Sequence, residues 1–339
     1  MKKKTVLWII LALVAVALGV GGYFAYQYWY DRKAPNFSGE MDVYVYPWME
    51  PQAVCDSILA GGQVRKPASL KRVFKEVESL QAGHYRIDST CTSIYVTRML
   101  HKGWQTPVNL TLSGAIRTPG ALARKIGAQM LADSASVAAF AFSADSIGLE
   151  PALLFTKIVP DTYQMLWTTP VKDIFARLFK ERDAWWTAER VAAAAAQGLT
   201  PEEASTLASI VDGETRYVPE QPTIAGVYLN RLRTGMKLQA DPTIAYLFDY
   251  EPRRILRSHL SVDSPYNTYM YYGLPPGPIS CPPKSCLEAV LYPQKHNYIF
   301  FCADPSFNGS HRFAANYSEH LQNARAFQRA LTERQRGKQ

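Results

Sequence analysis

The sequence predicts an α+β protein carried on an N-terminal transmembrane helix, and three observations predict it. An apolar run opens the chain, short alternating segments are interleaved with helical ones, and proline- and glycine-rich turns divide the second half. The expected division is residues 1–30 for a tip and anchor, 40–110 for a small α+β subdomain, and 111–335 for a larger mixed α+β domain.

Met1-Lys2-Lys3-Lys4 precedes an almost unbroken apolar run from Val6 to about Ala25 that contains no charge. About twenty residues rising 1.5 Å each cross the hydrocarbon core. A secretory signal also begins basic and turns apolar, but its apolar region is shorter and ends at a small-x-small cleavage site. This run ends in Tyr23, Phe24, Tyr26, Tyr28, Trp29 and Tyr30, an aromatic belt suited to the membrane–water interface. The expectation is an uncleaved anchor spanning residues 6–26, with the lysines holding the N-terminus in the cytoplasm and the rest outside.

Hydrophobic residues make up 47% of the 339-residue chain and charged residues 19%, enough apolar material for a sizeable core and against wholesale disorder. The net charge of +8 favours an anionic partner such as wall polymer or lipid headgroups. An outward-facing anchored protein has no access to nucleic acid, so that partner is excluded.

Asp42 to Tyr46 alternates as a strand and stops at Pro47. Pro51 to Ala60 and Ala68 to Leu80 read as helices, and His84 to Ile87 as a returning strand. Strand–helix–helix–strand is the outline of a LysM-like module, a fold often found binding glycan. Thr92 to His101 reads as a helix, Val108 to Leu112 as extended, and Thr118 to Leu131 as a helix. Pro160 to Tyr163 reads as a turn, and Phe175 to Gln197 as one long helical segment. Its Trp185 and Trp186 suit packing better than a sugar platform.

Five cysteines, Cys55, Cys91, Cys281, Cys286 and Cys302, could be buried thiols or include one disulfide, Cys281 with Cys286 being the nearest pair. With His296 and His311 the last three match no zinc spacing, so no metal or other cofactor is expected.

Thr200-Pro201-Glu202-Glu203 opens the next helix with an N-cap, a proline in the first turn and a capping-box glutamate. Leu207, Ile210, Val211 and Glu214 then share one face at a 3.6-residue period. Asp212 lies roughly 200° around the cylinder and should point elsewhere. A carboxyl held among aliphatic side chains stays protonated near neutral pH, as a general acid must. The alternative is a solvated glutamate at a helix end. Pro222 to Arg233 makes a second helix with Ala225, Tyr228, Leu229 and Leu232 along one face, followed by a polar turn over Met236 to Thr243, then Ser264 to Tyr269 and Gly273 to Ile279. Rigid proline turns rich in Tyr, Asn, Gln and Thr suit a sugar-binding surface. Phosphate loops, Ser-His-Asp patterns and HExxH are absent from the sequence.

Several of these segments together resemble one family. Ala208-Ser209-Ile210-Val211-Asp212-Gly213-Glu214-Thr215, Asn230-Arg231-Leu232-Arg233 with Gly235-Met236, Leu238-Gln239 and Asp241-Pro242-Thr243, Tyr266-Asn267-Thr268-Tyr269, Gly273-Leu274-Pro275-Pro276-Gly277 with Ile279, and His311 with Phe313 are similar to the endolytic murein transglycosylases (MltG/YceG-like). Ala82-Gly83 with Tyr85-Arg86 and Pro160 to Tyr163 fit the same family upstream. The resemblance implies a single-pass inner-membrane anchor, a LysM-like subdomain, and a periplasmic catalytic domain that cuts nascent peptidoglycan strands internally. Cell-wall synthesis enzymes are the expected company.

The family's catalytic glutamate falls on Glu214, while Asp212 and Gly213 depart from its pattern, and a glycine inside the helix weakens it by up to about 1 kcal/mol and allows a local kink. By that analogy Glu214 protonates the MurNAc–GlcNAc oxygen, then takes the proton of the muramic C6 hydroxyl as a 1,6-anhydro ring closes. Gln239, Asp241, Tyr266 and Asn267 are the candidates for binding substrate or orienting Glu214. Tyr269 is expected to pack, and His311 to be structural or to cap the cleft. Two other readings stay open: a muramidase-type hydrolase using water, which needs a second carboxylate, and a non-enzymatic wall-binding scaffold.

Overall fold

The computed structural model describes residues 2–251 and 255–336; Met1, the start of the expected tip, lies outside them. The chain forms two compact units. The first runs to Leu110 and takes in Gln129–Leu131 and Tyr163–Thr169, and the second holds the remainder.

Helix α1 (Lys2–Lys33) begins the first unit as one unbroken rod. Its segment from Lys4 has a mean hydropathy of 2.4, and its apolar side chains face outward, as for a single-pass anchor or a signal. The far end of α1 is docked. Asp31 is buried and accepts from Ser69 Oγ at 2.6 Å and from Arg72 Nε and Nη2 at 3.0 and 2.8 Å. Lys66 Nζ donates to the Tyr26 hydroxyl at 2.6 Å.

Strand β1 (Met41–Val45), α2 (Pro51–Ala60), α3 (Pro67–Phe74) and β2 (Gly83–Ile87) follow in the order the sequence predicts. The two strands pair antiparallel, Val43 opposite Tyr85 and Val45 opposite Gly83. Val43 and Val45 face a core of Phe37, Ile58, Leu70, Tyr85 and Leu100, while Asp42 and Tyr44 face out. Helix α3 stops well short of Leu80. Its last turns tighten to Glu76 N→Val73 O and Val77 N→Phe74 O, and the chain then leaves so that Gln81 N can reach Leu100 O. Helix α4 (Ser93–Lys102) is capped by Thr92, whose hydroxyl accepts from Tyr95 N. Strand β3 (Val108–Thr111) pairs with β4 (Thr162–Met165), so Thr162 and Tyr163 begin a strand where a turn was expected.

In the second unit, α5 (Pro119–Gly127) ends four residues before the expected Leu131. A methyl group on Gly127 would come within 2.7 Å of Ser134 N, so the glycine lets α6 (Ser134–Ala141) fold tightly back on α5. The short α7 (Ala144–Ile147) and a 3-10 turn over Pro151–Thr156 complete this stretch. The single helix expected over 175–197 is two, α8 (Val171–Trp185) and α9 (Ala188–Ala196). Trp186 leaves the helical region with ψ 72°, and the Thr187 hydroxyl caps the new helix at Arg190 N.

Helices α10 (Pro201–Glu214), α11 (Gln221–Arg233) and α13 (Lys284–Leu291) pack around the unit's core, which includes Leu207, Ile210, Val211, Ile224, Tyr228 and Val290. Trp186 is buried in that core and Trp185 lies against it, both as packing. The expected polar turn over 236–243 is cut short, because α12 (Asp241–Leu247) starts at Asp241 with Pro242 in its first turn. The hairpin of β5 (Phe300–Ala303) and β6 (His311–Ala314) and the terminal α14 (Tyr317–Arg336) were not anticipated. All five cysteines are free thiols, four of them buried.

Candidate active site

Helix α10 carries the central carboxyl because its start is fixed. Thr200 Oγ1 accepts from Glu203 N at 3.2 Å, and Glu203 Oε2 accepts from Thr200 N at 2.8 Å. With the helix phase set, Leu207, Ile210 and Val211 are fully buried and Glu214 is half-buried on the last turn. Tyr228, 1% exposed on the neighbouring α11, donates to Glu214 Oε1 at 2.5 Å.

Burial pushes the Glu214 carboxyl up to about 7. The Tyr228 hydrogen bond opposes that rise, the Asp241 charge adds to it, and the Arg231 guanidinium pulls it down. Such a group is poised to give and take a proton near neutral pH. Arg231 is itself buried and lowered by desolvation. Its Nε donates to Ile299 O at 2.7 Å and its Nη1 to Leu238 O, so one cation ties the hairpin's entry to the 236–240 loop.

Asp241 is exposed and accepts from the Tyr269 hydroxyl at 2.5 Å. Gln239 is exposed, with a left-handed φ of 47° and its N–H bonded to Thr268 O. A non-glycine residue held there is strained, and Thr268 supplies the restraint. Thr268 Oγ1 also accepts from Ala240 N at 3.0 Å and meets Thr243 Oγ1 at 2.9 Å. Asn267 is wholly enclosed. Its Nδ2 donates to Leu260 O and Val262 O at 3.0 and 2.7 Å, and its Oδ1 accepts from Tyr269 N at 2.9 Å. Asn267 therefore shapes the turn that presents Tyr269. Tyr266 is half-buried and lies 4.7 Å from Tyr246, ring to ring.

The charges that act on Glu214 thus include Asp241 but none of Gln239, Tyr266 or Asn267. Sequence reasoning missed Tyr228 and Arg231, reading the first as an apolar member of its helix face. Their signal was a hydroxyl and a guanidinium three residues apart on a helix packed beside the glutamate's own. Tyr269, expected to pack, spends its hydroxyl on Asp241.

Glu214 opens on a hollow of about 730 Å³ that is also bordered by Arg216, Asp304 and His311. His311 Nδ1 lies 2.9 Å from Glu220 Oε2, and its backbone N–H reaches the other oxygen at 2.9 Å, so the histidine is held in place. Asp304 is lowered to about 2 by Ser306 and Arg312. Asp212 points into a different cavity of about 540 Å³, as its angular offset on the helix requires. The Ser280 hydroxyl donates to it at 3.2 Å, while burial raises its carboxyl.

A Bacillus subtilis (strain 168) protein named endolytic murein transglycosylase is 41% identical over 115 residues, 34% of this chain and 31% of the relative. A Streptococcus pneumoniae (strain D39) protein of the same name is 26% identical over 359 aligned positions, 93% of this chain and 64% of the relative. The chain therefore spans less than two thirds of the length of these curated relatives. A crystal structure of a yceG-like protein from Listeria monocytogenes matches with a TM-score of 0.53 at 24% identity, covering 84% of this chain and 99% of that one, which shows a shared fold. The YceG-like family itself matches residues 43–326, most of the chain and every segment that builds the site around Glu214, and the chain belongs to that family.

Proposed function

We propose that this protein is a lytic transglycosylase that cuts MurNAc–GlcNAc bonds within nascent murein strands and leaves 1,6-anhydroMurNAc ends. The observation that carries the reading is the Glu214 carboxyl, half-buried, held by Tyr228 and raised to about 7 beside an open hollow. The curated relatives' shared name supports the substrate and the chemistry.

In the first step neutral Glu214 gives its proton to the glycosidic oxygen, and the bond to the muramic C1 breaks. The substrate's own 2-acetamido group stabilises the cationic carbon. The carboxylate then removes the C6 hydroxyl proton as that oxygen bonds to C1. One residue acts as acid and then base, so no water is consumed and Glu214 ends as it began. Asp241 orients the site through Tyr269 and sustains the raised Glu214 carboxyl. Gln239, Tyr266 and Asn267 set the wall of the glycan path, Asn267 through the turn it fixes. Helix α1 serves as a single-pass inner-membrane anchor with a cytoplasmic N-terminus, and the strand–helix–helix–strand unit is a LysM-like module on the periplasmic side.

Asp304 favours one second reading. It borders the same hollow and is held ionised. A muramidase-type hydrolase needs a second carboxylate near the scissile bond to activate water. Mass spectrometry of glycan digested by the purified protein decides. Anhydro ends that vanish in folded Glu214→Gln support the transglycosylase; reducing ends establish the hydrolase. Undiminished cleavage by Glu214→Gln removes both.

A further inference from the structure

The cavity on the Asp212 side of α10 is built for a ligand that the glycan chemistry at Glu214 leaves unassigned. Its volume of about 540 Å³ lies within the roughly 300–1,000 Å³ of small-molecule sites. Two guanidiniums border it, Arg117 and Arg216, and among the described residues neither makes a hydrogen bond or a close ion pair. Arg117 lies 4.5 Å over the Tyr250 ring, and the Tyr250 hydroxyl is tied to Ile279 O, so that cation is held in place rather than waving in solvent. Gln221 also borders the cavity. It is 3% exposed, and its Oε1 is a buried acceptor with no partner. Beside it stands Asp212, a further acceptor positioned by Ser280.

This set selects by complementarity. Two free guanidiniums want carboxylates, and the amide oxygen and Asp212 want N–H groups. Phosphate or sulfate would satisfy the arginines but meet repulsion at Asp212 and Gln221. An uncharged sugar would leave the arginines unused. A short acidic peptide answers both halves. The placement agrees: Arg216 borders this cavity and the Glu214 hollow alike, and Asp212 and Glu214 are separated only by Gly213. We propose that this cavity receives the stem peptide carried on the muramic lactyl group, with Arg117 and Arg216 on its carboxylates and Gln221 and Asp212 on its N–H groups. The inference rests on murein being the substrate.

The test uses the full chain in detergent, in a Glu214→Gln background so that nothing is turned over. Titration calorimetry with N-acetylmuramoyl tripeptide should show binding, and Arg117→Ala should weaken it about tenfold, the scale of one charge-assisted hydrogen bond. Peptide-free N-acetylmuramic acid should be indifferent to Arg117. With active protein, Arg117→Ala should raise KM for stem-bearing strands and leave amidase-stripped strands unchanged. No binding of the tripeptide, equal binding by Arg117→Ala, or full competition by inorganic phosphate overturns the proposal. Peptide binding without any glycan cleavage would keep the pocket and remove the activity. Cleavage of stem-bearing and stripped strands with one KM would do the reverse.

Discussion

The Tyr228 hydroxyl and Glu214 Oε1 lie 2.5 Å apart, joined across two helices, where a buried phenol steadies the proposed acid. That bond favours the charged carboxylate and opposes the burial that raises it. Tyr228→Phe removes it while keeping the ring. The Glu214 carboxyl should then titrate above about 7, and the alkaline limb of the pH–rate profile should move to higher pH. Maximal rate should fall about ten- to a hundredfold as the carboxyl loses its orientation. A profile recorded across pH 5 to 9 checks this; an unmoved alkaline limb contradicts it.

Glu214 also makes stability depend on pH. Its carboxyl rises from an ordinary 4.5 to about 7 on folding, so the folded chain holds a proton more tightly than the unfolded one. The stabilisation from that proton is complete below about 4.5 and is lost as pH rises through 7. The loss is about 3 kcal/mol by linkage. Neutral Glu214→Gln does not suffer it. Thermal melts should find the variant close to wild type at pH 4.5 and clearly more stable at pH 8. An identical difference at both values would refute the assignment.

Gly213 has a packing reason. A methyl group there would come within 2.7 Å of Pro242 Cγ, so the glycine admits the segment that starts α12 and carries Asp241. Gly213→Ala must push that segment away from α10. Overpacking of this kind costs about 1–3 kcal/mol, and glycan cleavage should fall more than the loss of fold explains, because Asp241 moves with Pro242. Comparing melting temperature with rate on the folded fraction separates the two effects. The sequence offered Gly213 only as a weak point in a helix, with a kink as the consequence. Its neighbour across the gap is far away in the chain and invisible to periodicity.

The same division runs through the rest of the molecule. Elements set by local chemistry were legible: the capped start of α10, the alternation of β1, and the Thr92 cap of α4. The Leu207–Ile210–Val211 stripe placed Glu214 against the core before any coordinates. What failed depended on contacts that the helical period does not show. Helix α3 yields to Leu100, α5 yields to Ser134, and the apparent helix over 175–197 breaks at Trp186, where a strong helical period hides a change of direction. In the site, Tyr228 read as apolar because a phenol on a buried face looks like packing until its acceptor is seen. Asn267 read as a sugar ligand because exposure cannot be judged from residue type, and in the fold it is sealed inside its own turn.

Asp31 turns the end of α1 into a weld. The 32-residue α1 makes a rod of about 48 Å against a hydrocarbon core of about 30 Å. Its last turn packs directly on α3, where Ser69 and Arg72 grip Asp31. With α1 in lipid as proposed, any lean of the rod is inherited by the sheet of β1 and β2, as a flag follows its pole. A soluble fragment trimmed after residue 33 would strip Arg72 and Ser69 of their shared acceptor, so the boundary that looks natural for expression cuts through a structural joint.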